Sequence, residues 1–379
     1  MASRDRDKPA SGRLRRREVL TAGAALLAWA GAGPVRAGLP DAGVARFLSC
    51  RRHGALHEAV VIDARGRDIA ARPLPDRGHS FAIDTARRRA VVFGRQPGFF
   101  ALAFDLADGS PLGSLPLPED RHFFGHGVFS ADGALLYATE NDWASGRGVL
   151  GVYDARPGLA WQRLGEIDTG GIGPHEVVLL ADGRTLCVAN GGLLVHPDFG
   201  KEPLNLATMK SSLALVDARD GRLLENHVLA PELFQLSIRH LAVDAMGTVW
   251  FACQHQGPAT EQPPLVGRYR RGQAPQLLSA PPPLLRELRN YVGSIAAGRE
   301  VIATSSPVGG HVAYWRVTDG HCLGTATRPD GCGVAAMEDG RFLLSDGFGG
   351  LAATAPGREQ ETLLAPSREL SWDNHLRCA

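Results

Sequence analysis

Downstream of residue 37, apolar and polar residues alternate in short runs separated by turn-forming residues. "FGHGVFSADGALLYATENDW", from Phe124, reads as a histidine, an apolar strand, an Asp-Gly turn and a second strand ending near Asn141. "GPHEVVLLADGRTLCVANGG", from Gly173, repeats that order. Alternation with a period of two marks half-buried strands, and Asp-Gly between two such runs marks a hairpin. There is no heptad pattern and no low-complexity linker.

The unit recurs. Each copy runs strand, turn, strand, loop, a third strand ending in Asp, and a fourth strand. Copies begin at His79, His126 and His175, near His240, near Tyr291 and at Cys332. Two fragments remain. The C-terminal "WDNHLRCA" looks like a lone first strand, and "VARFLSCRRHGALHEAVVIDARGRDIAARPLP" looks like strands two to four without a first. Together they complete a seventh unit. Residues 38–379 number 379 − 37 = 342, which gives about 49 per unit, within the range of propeller blades. The expected fold is all-β: a seven-bladed β-propeller whose last blade is shared between the N- and C-termini.

That topology turns sequence position into space. First strands line the central channel, and their starts lie at one end of it. His79, His126, His175, His240 and His375 occupy those starts, while Tyr291 and Cys332 stand in the equivalent places of the other two blades. Loops expected on the same face are long in three successive blades: Glu140–Gly148, about 20 residues from Gly191 that include His196, and "QHQGPATEQPP" with His255. Long loops in compact domains usually serve a function.

Neutral imidazole is the commonest ligand for zinc, copper, iron and nickel, and it also serves as a general acid or base. A structural role, with each histidine bonded inside its own blade, is the competing reading, and Gly78-His79 and Gly125-His126 fit it best. Glu176, Glu140, Asn141 and Asp142 are candidates to orient imidazoles or carry protons. Arg239 is a candidate anion ligand. Nucleotide-binding, hydrolase, zinc-protease and covalent-haem motifs are missing. The six cysteines match no zinc spacing. Cys50 and Cys378 fall on adjacent strands of the shared blade, so they are either a disulfide across the closure or two packed thiols. Cys332 replaces a histidine in register and is a further candidate ligand.

A formal net charge of +1 gives no electrostatic case for nucleic acid or anionic membrane. The many glycines and prolines, 46 and 25, suit a fold of short strands and frequent turns. Residues 1–37 read as an export signal: a basic start with Arg16-Arg17, the apolar "TAGAALLAWAGAG", and a small-residue end at Val35 and Ala37. Paired arginines point to the twin-arginine route and hence to the periplasm; a plain secretory signal or a retained anchor is the alternative. The apolar run is too short to span a bilayer, which takes roughly 20 residues. No membrane span is expected after signal removal, and a monomer is expected.

Four stretches, "GHGVFSADGALLYATENDWASGRGVLGVYDA", "GIGPHEVVLLADGRTLCVANGG", "SIRHLAVDAMGTVWFACQHQG" and "WDNH", resemble an uncharacterised family of twin-arginine-exported bacterial propellers of the DUF1513 type. The resemblance implies company with imelysin-like iron-uptake proteins, and so a role in acquiring iron or another metal. His126, His175, His240, His375, Glu140, Asn141, Asp142 and Arg239 fall within the matching motifs; His79 rests on blade register alone. Three readings follow. The favoured one is a periplasmic metal-binding propeller holding iron or copper, with zinc as a further option. The second is a lactonase- or oxidoreductase-like enzyme using the same mouth, and the third is a docking platform for an iron-uptake protein.

Overall fold

Seven four-stranded antiparallel sheets surround a central channel in the computed structural model, which describes residues 45–379. The expected signal at 1–37 lies outside the described residues. Blades 1 to 6 begin with the innermost strands Gly78–Asp84, Arg121–Phe129, Pro174–Leu179, Leu236–Val243, Ser294–Ala297 and Gly331–Ala336. Each sheet then runs outward in chain order. In blade 7 the C-terminal strand Leu370–Cys378 is innermost, and Arg46–His53, Leu56–Asp63 and Asp68–Leu74 follow outside it. The fold and its shared blade are as the repeat count predicts.

Turn chemistry fixes each hairpin. Asp182 Oδ1 accepts the backbone N–H groups of Arg184 and Thr185 at 3.0 and 2.8 Å, and Gly183 takes φ +65°, a conformation that costs glycine nothing. Between blades the core is apolar, with Trp250, Trp315, Trp372 and Tyr137 fully buried. One charged tie runs through it: Arg89 of blade 1 donates to Asp84 and to the Gly133 carbonyl of blade 2, with its guanidinium stacked over Phe129 and Trp161.

The closure is made by backbone and by side chains. Leu48 pairs with Arg377 and Phe47 with Cys378, and Ser49 Oγ donates to the His375 carbonyl at 2.7 Å. This register overturns a Cys50–Cys378 disulfide. Cys378 stands opposite Phe47, three residues along the strand from Cys50, and a separation of about 10 Å is beyond the reach of a disulfide. Cys50 is a buried thiol and Cys378 an exposed one. Among the described residues no helix is long and apolar enough to cross a membrane.

Candidate functional site

Each channel histidine owes its direction to a break in its strand. Pairing with the neighbouring strand shifts between Gly78 and Phe81 in blade 1, Phe123 and Gly127 in blade 2, Pro174 and Glu176 in blade 3, and Ile238 and His240 in blade 4. It shifts again between Gly331 and Val334 in blade 6, and across Trp372 to Leu376 in blade 7. Bulges of this kind re-aim a side chain that regular alternation would send elsewhere. Blade 5 pairs without a shift, from Ser294 opposite Ser305 to Ala297 opposite Ile302, and supplies no imidazole.

The five imidazoles meet inside the channel. His126 lies 5.0 Å from His79, 5.0 Å from His175 and 4.7 Å from His375 between ring centroids, and His240 lies 4.8 Å from His175 and 4.7 Å from His375. All are buried, none more than 7% exposed. Two triads, His79-His126-His375 and His126-His175-His240, have their ligand atoms within 4.8 Å of one another and share His126. Nε2 of His375 is 3.3 Å from Nε2 of His79.

Carboxylates stand behind the rings. Glu176 is buried, with its oxygens 3.4 Å from His240 Nδ1 and 3.7 Å from His126 Nδ1; it also pairs with Arg377 and accepts the Leu241 N–H at 3.1 Å. Asp373 lies 3.9 Å from His79 Nδ1 and pairs with Arg77 and Arg95. Burial alone would raise the Glu176 carboxyl, yet Arg377, His126 and His240 hold it well below the usual range. Asp373 is likewise held low, against its burial, by His79, Arg95 and Arg77. Burial pushes His79 down to about 4 and also lowers His126, His175, His240 and His375. Near neutral pH the cluster is therefore five uncharged imidazoles flanked by two ionised carboxylates.

Three ring nitrogens of the cluster are buried with neither a hydrogen bond nor a facing carboxylate: Nε2 of His126, Nδ1 of His175 and Nε2 of His240. Leaving a buried polar group unpaired costs about 1–3 kcal/mol. Three such groups would cost about 3–9 kcal/mol, a large part of the net stability of a whole domain, about 5–15 kcal/mol. Such atoms beside a cavity are where a ligand or ordered water completes the hydrogen bonding.

The other candidates raised by the sequence sit elsewhere. Glu140, Asn141 and Asp142 are part of strand Leu135–Asp142, not of a long loop; Glu140 pairs with Val149 and Asp142 with Arg147, so only residues 143–146 form the turn. Glu140 packs inside blade 2, accepting from Tyr153 Oη at 2.5 Å and pairing with Arg163 at 2.8 Å. Asp142 is held by Arg121 and Arg147. Asn141 Nδ2 lies 3.0 Å from His122 Nε2 and donates to the Val195 carbonyl. Cys332 is buried, donates to the Asp330 carbonyl and lies outside both triads. His196 caps the turn Pro197–Phe199, and His255 faces Glu261 at 3.1 Å.

A cavity of about 220 Å³ opens beside the cluster, with His79, His175 and His240 in its wall. The blade-three loop reaches over it with Leu193, Val195 and Lys201, and Arg95, Arg239 and Tyr291 complete much of the lining. Lys201 and Arg95 had no signal in the repeat, because each lies in the loop between second and third strands, whose length and sequence differ from blade to blade. A second aromatic group, His122 stacked on Trp143 with ring centroids 5.9 Å apart, was hidden because the innermost strand of blade 2 starts at Arg121, ahead of His126.

A model for the family described as "Protein of unknown function (DUF1513)" matches residues 72–379. No curated protein sequence matches the chain significantly. Among solved structures, Kuenenia stuttgartiensis hydrazine synthase aligns with a TM-score of 0.57 at 13% identity, over 81% of this chain and 89% of that one. The β-propeller domain of Myceliophteria thermophila Cps50 (Swd1) aligns with a TM-score of 0.54 at 11% identity, over 87% and 98% of the two chains. At such identities the likeness is one of fold.

Proposed function

The chain belongs to the DUF1513 family of proteins of unknown function, and from that premise we propose that it is a metal-binding propeller whose channel imidazoles hold a first-row transition ion. The observation that carries this reading is the two-sidedness of the rings. His79, His126 and His240 turn Nδ1 toward Asp373 or Glu176. The opposite nitrogens of His126 and His240 have no protein partner, and that of His79 meets His375 Nε2, the carboxylate–histidine pattern that orients metal-binding imidazoles. The 3.3 Å between the Nε2 atoms of His79 and His375 also matches the edge of a tetrahedron with bonds of about 2.0–2.1 Å, roughly 3.3–3.4 Å.

The donor set narrows the ion. Neutral imidazoles suit copper, iron, zinc and nickel, whereas magnesium and calcium want oxygen ligands. Copper heads the affinity order; iron is the ion that the sequence resemblance favours. The protein's role on this reading is to acquire or hand on iron or copper in the periplasm, after twin-arginine export, with an iron-uptake protein as partner.

The test is elemental analysis of the exported protein beside a His126→Ala/His175→Ala/His240→Ala variant. Stoichiometric metal in the parent and none in the folded variant supports the reading. A parent that carries no metal and takes up no added iron, copper or zinc overturns it.

A further inference from the structure

The cavity beside the imidazoles is cationic, and its cations are poorly compensated. Arg239 and Lys201 make no ion pair among the described residues, and Arg239 Nε is buried without a hydrogen-bond partner. Lys201 lies on an exposed loop, and its ammonium is lowered by desolvation at the cavity rim and by Arg95, Arg77 and Arg239, with Asp373 opposing. Asp373 is already held by Arg77 and Arg95. The cavity wall therefore gathers more positive charge than the two nearby carboxylates offset, since Glu176 is likewise already paired with Arg377.

A half-buried guanidinium such as that of Arg239, with no anionic partner, is unfavourable unless something of opposite charge completes the site, and the exposed Lys201 adds its charge at the rim. The volume of about 220 Å³ is the room of roughly seven waters, below the pockets of about 300 Å³ and more that hold drug-sized ligands. The remaining wall offers neutral polar groups, Gln254, Tyr291 and Asn374, which suit an oxygen-rich ligand.

We propose that this cavity binds a small multivalent oxyanion of the carboxylate or phosphate class, held by Arg239 and Lys201. Arg239 supplies the planar fork that grips paired oxygens, and Lys201, carried on the blade-three loop, supplies a point charge from above. His79, His175 and His240 share the wall, so the anion lies against the imidazoles. The anion site needs no metal; only contact between anion and ion rests on the metal reading.

The test is isothermal titration of the chelator-stripped, full exported protein with citrate and with inorganic phosphate, run separately. Binding of at least one, with a dissociation constant of about 1 mM or tighter, is expected. Arg239→Gln should weaken it by about tenfold or more, the loss of a charge-assisted contact. Lys201→Gln, on a loop and so independent of core folding, should weaken it by about threefold or more and flatten its salt dependence. No heat with either anion, or unchanged affinity in the folded Lys201→Gln variant, overturns the proposal. Anion binding by a protein that takes up no metal would separate this inference from the metal reading, and the converse pattern would separate them the other way.

Discussion

Replacing Gly125 by alanine tests the channel geometry without removing a single ligand. Gly125 sits in the bulge before His126 at φ +103°, and a Cβ added there would lie 2.4 Å from His79 Cδ2 and 3.0 Å from His79 Cβ and Cγ. Restoring ordinary contact, from 2.4 to 3.4 Å, requires a displacement of about 1 Å. The His79 ring is hemmed on two sides by His375 and His126, 4.5 and 5.0 Å away between centroids, so it can yield only toward the cavity. Backbone strain of about 1–3 kcal/mol and overpacking of about 1–3 kcal/mol give an expected loss of about 2–6 kcal/mol. Gly54→Ala is the control: φ is +58° and nothing lies within 4 Å, so it should cost only about 1–2 kcal/mol. Metal sites hold their ligands to about 0.5 Å, so the displaced ring should also weaken metal binding by about tenfold or more. Denaturant unfolding and competitive metal titration read the two effects. If Gly125→Ala matches Gly54→Ala in stability and keeps the parent affinity, close packing of the bulge is not what positions His79.

Glu176→Gln should lower metal affinity by about 10–100-fold, the usual cost of losing a group that orients ligands, in the same competitive titration; an unchanged affinity would remove Glu176 from the site. Asp84→Ala leaves Arg89 buried without its carboxylate and should cost about 3–5 kcal/mol in denaturant unfolding. His122, pushed by burial down to about 4, takes up a proton on unfolding below its ordinary value near 6.5. Its contribution is therefore complete above about pH 6.5 and is lost as the pH falls toward 4, by about 3 kcal/mol in all, and a His122→Gln variant should show a correspondingly shallower acid loss. Thiol titration of the unreduced, denatured protein should find all six cysteines free; a titre lower by two would point to a disulfide that the strand register does not allow.

The seven blades and the shared one were legible because their signals are local: period-two alternation, Asp-Gly turns, and a fragment at each end that only the other could complete. The five histidines were legible because first strands line a channel, and a channel brings equivalent positions together. What local pattern does not encode is register. The bulges that aim His126 and His375 depend on which residue faces which across two strands, as does the distance between Cys50 and Cys378. Glu140 read as a loop carboxylate, yet Gly151 on the next strand leaves room for it, and Tyr153 and Arg163 draw it inward. Glu176 is different. It follows His175 directly, and its position between His126 and His240 emerges only when three blades are set side by side.

The closing strand carries more than the seam. His375 joins the imidazole cluster, Asp373 receives Arg77 and Arg95, and Arg377 reaches Glu176 of blade 3, all from the last ten residues of the chain. The first triad is therefore complete only when the closing strand is in place. A chain shortened by those residues, or one whose ring has not shut, lacks a corner of the first triad and both of its charged braces. An ion held by His79, His126 and His375 would act as a rivet through the seam, fastening the final strand to two blades made near the beginning. Loading would then certify that the ring is complete, and stripping the ion would loosen the molecule first where its ends meet.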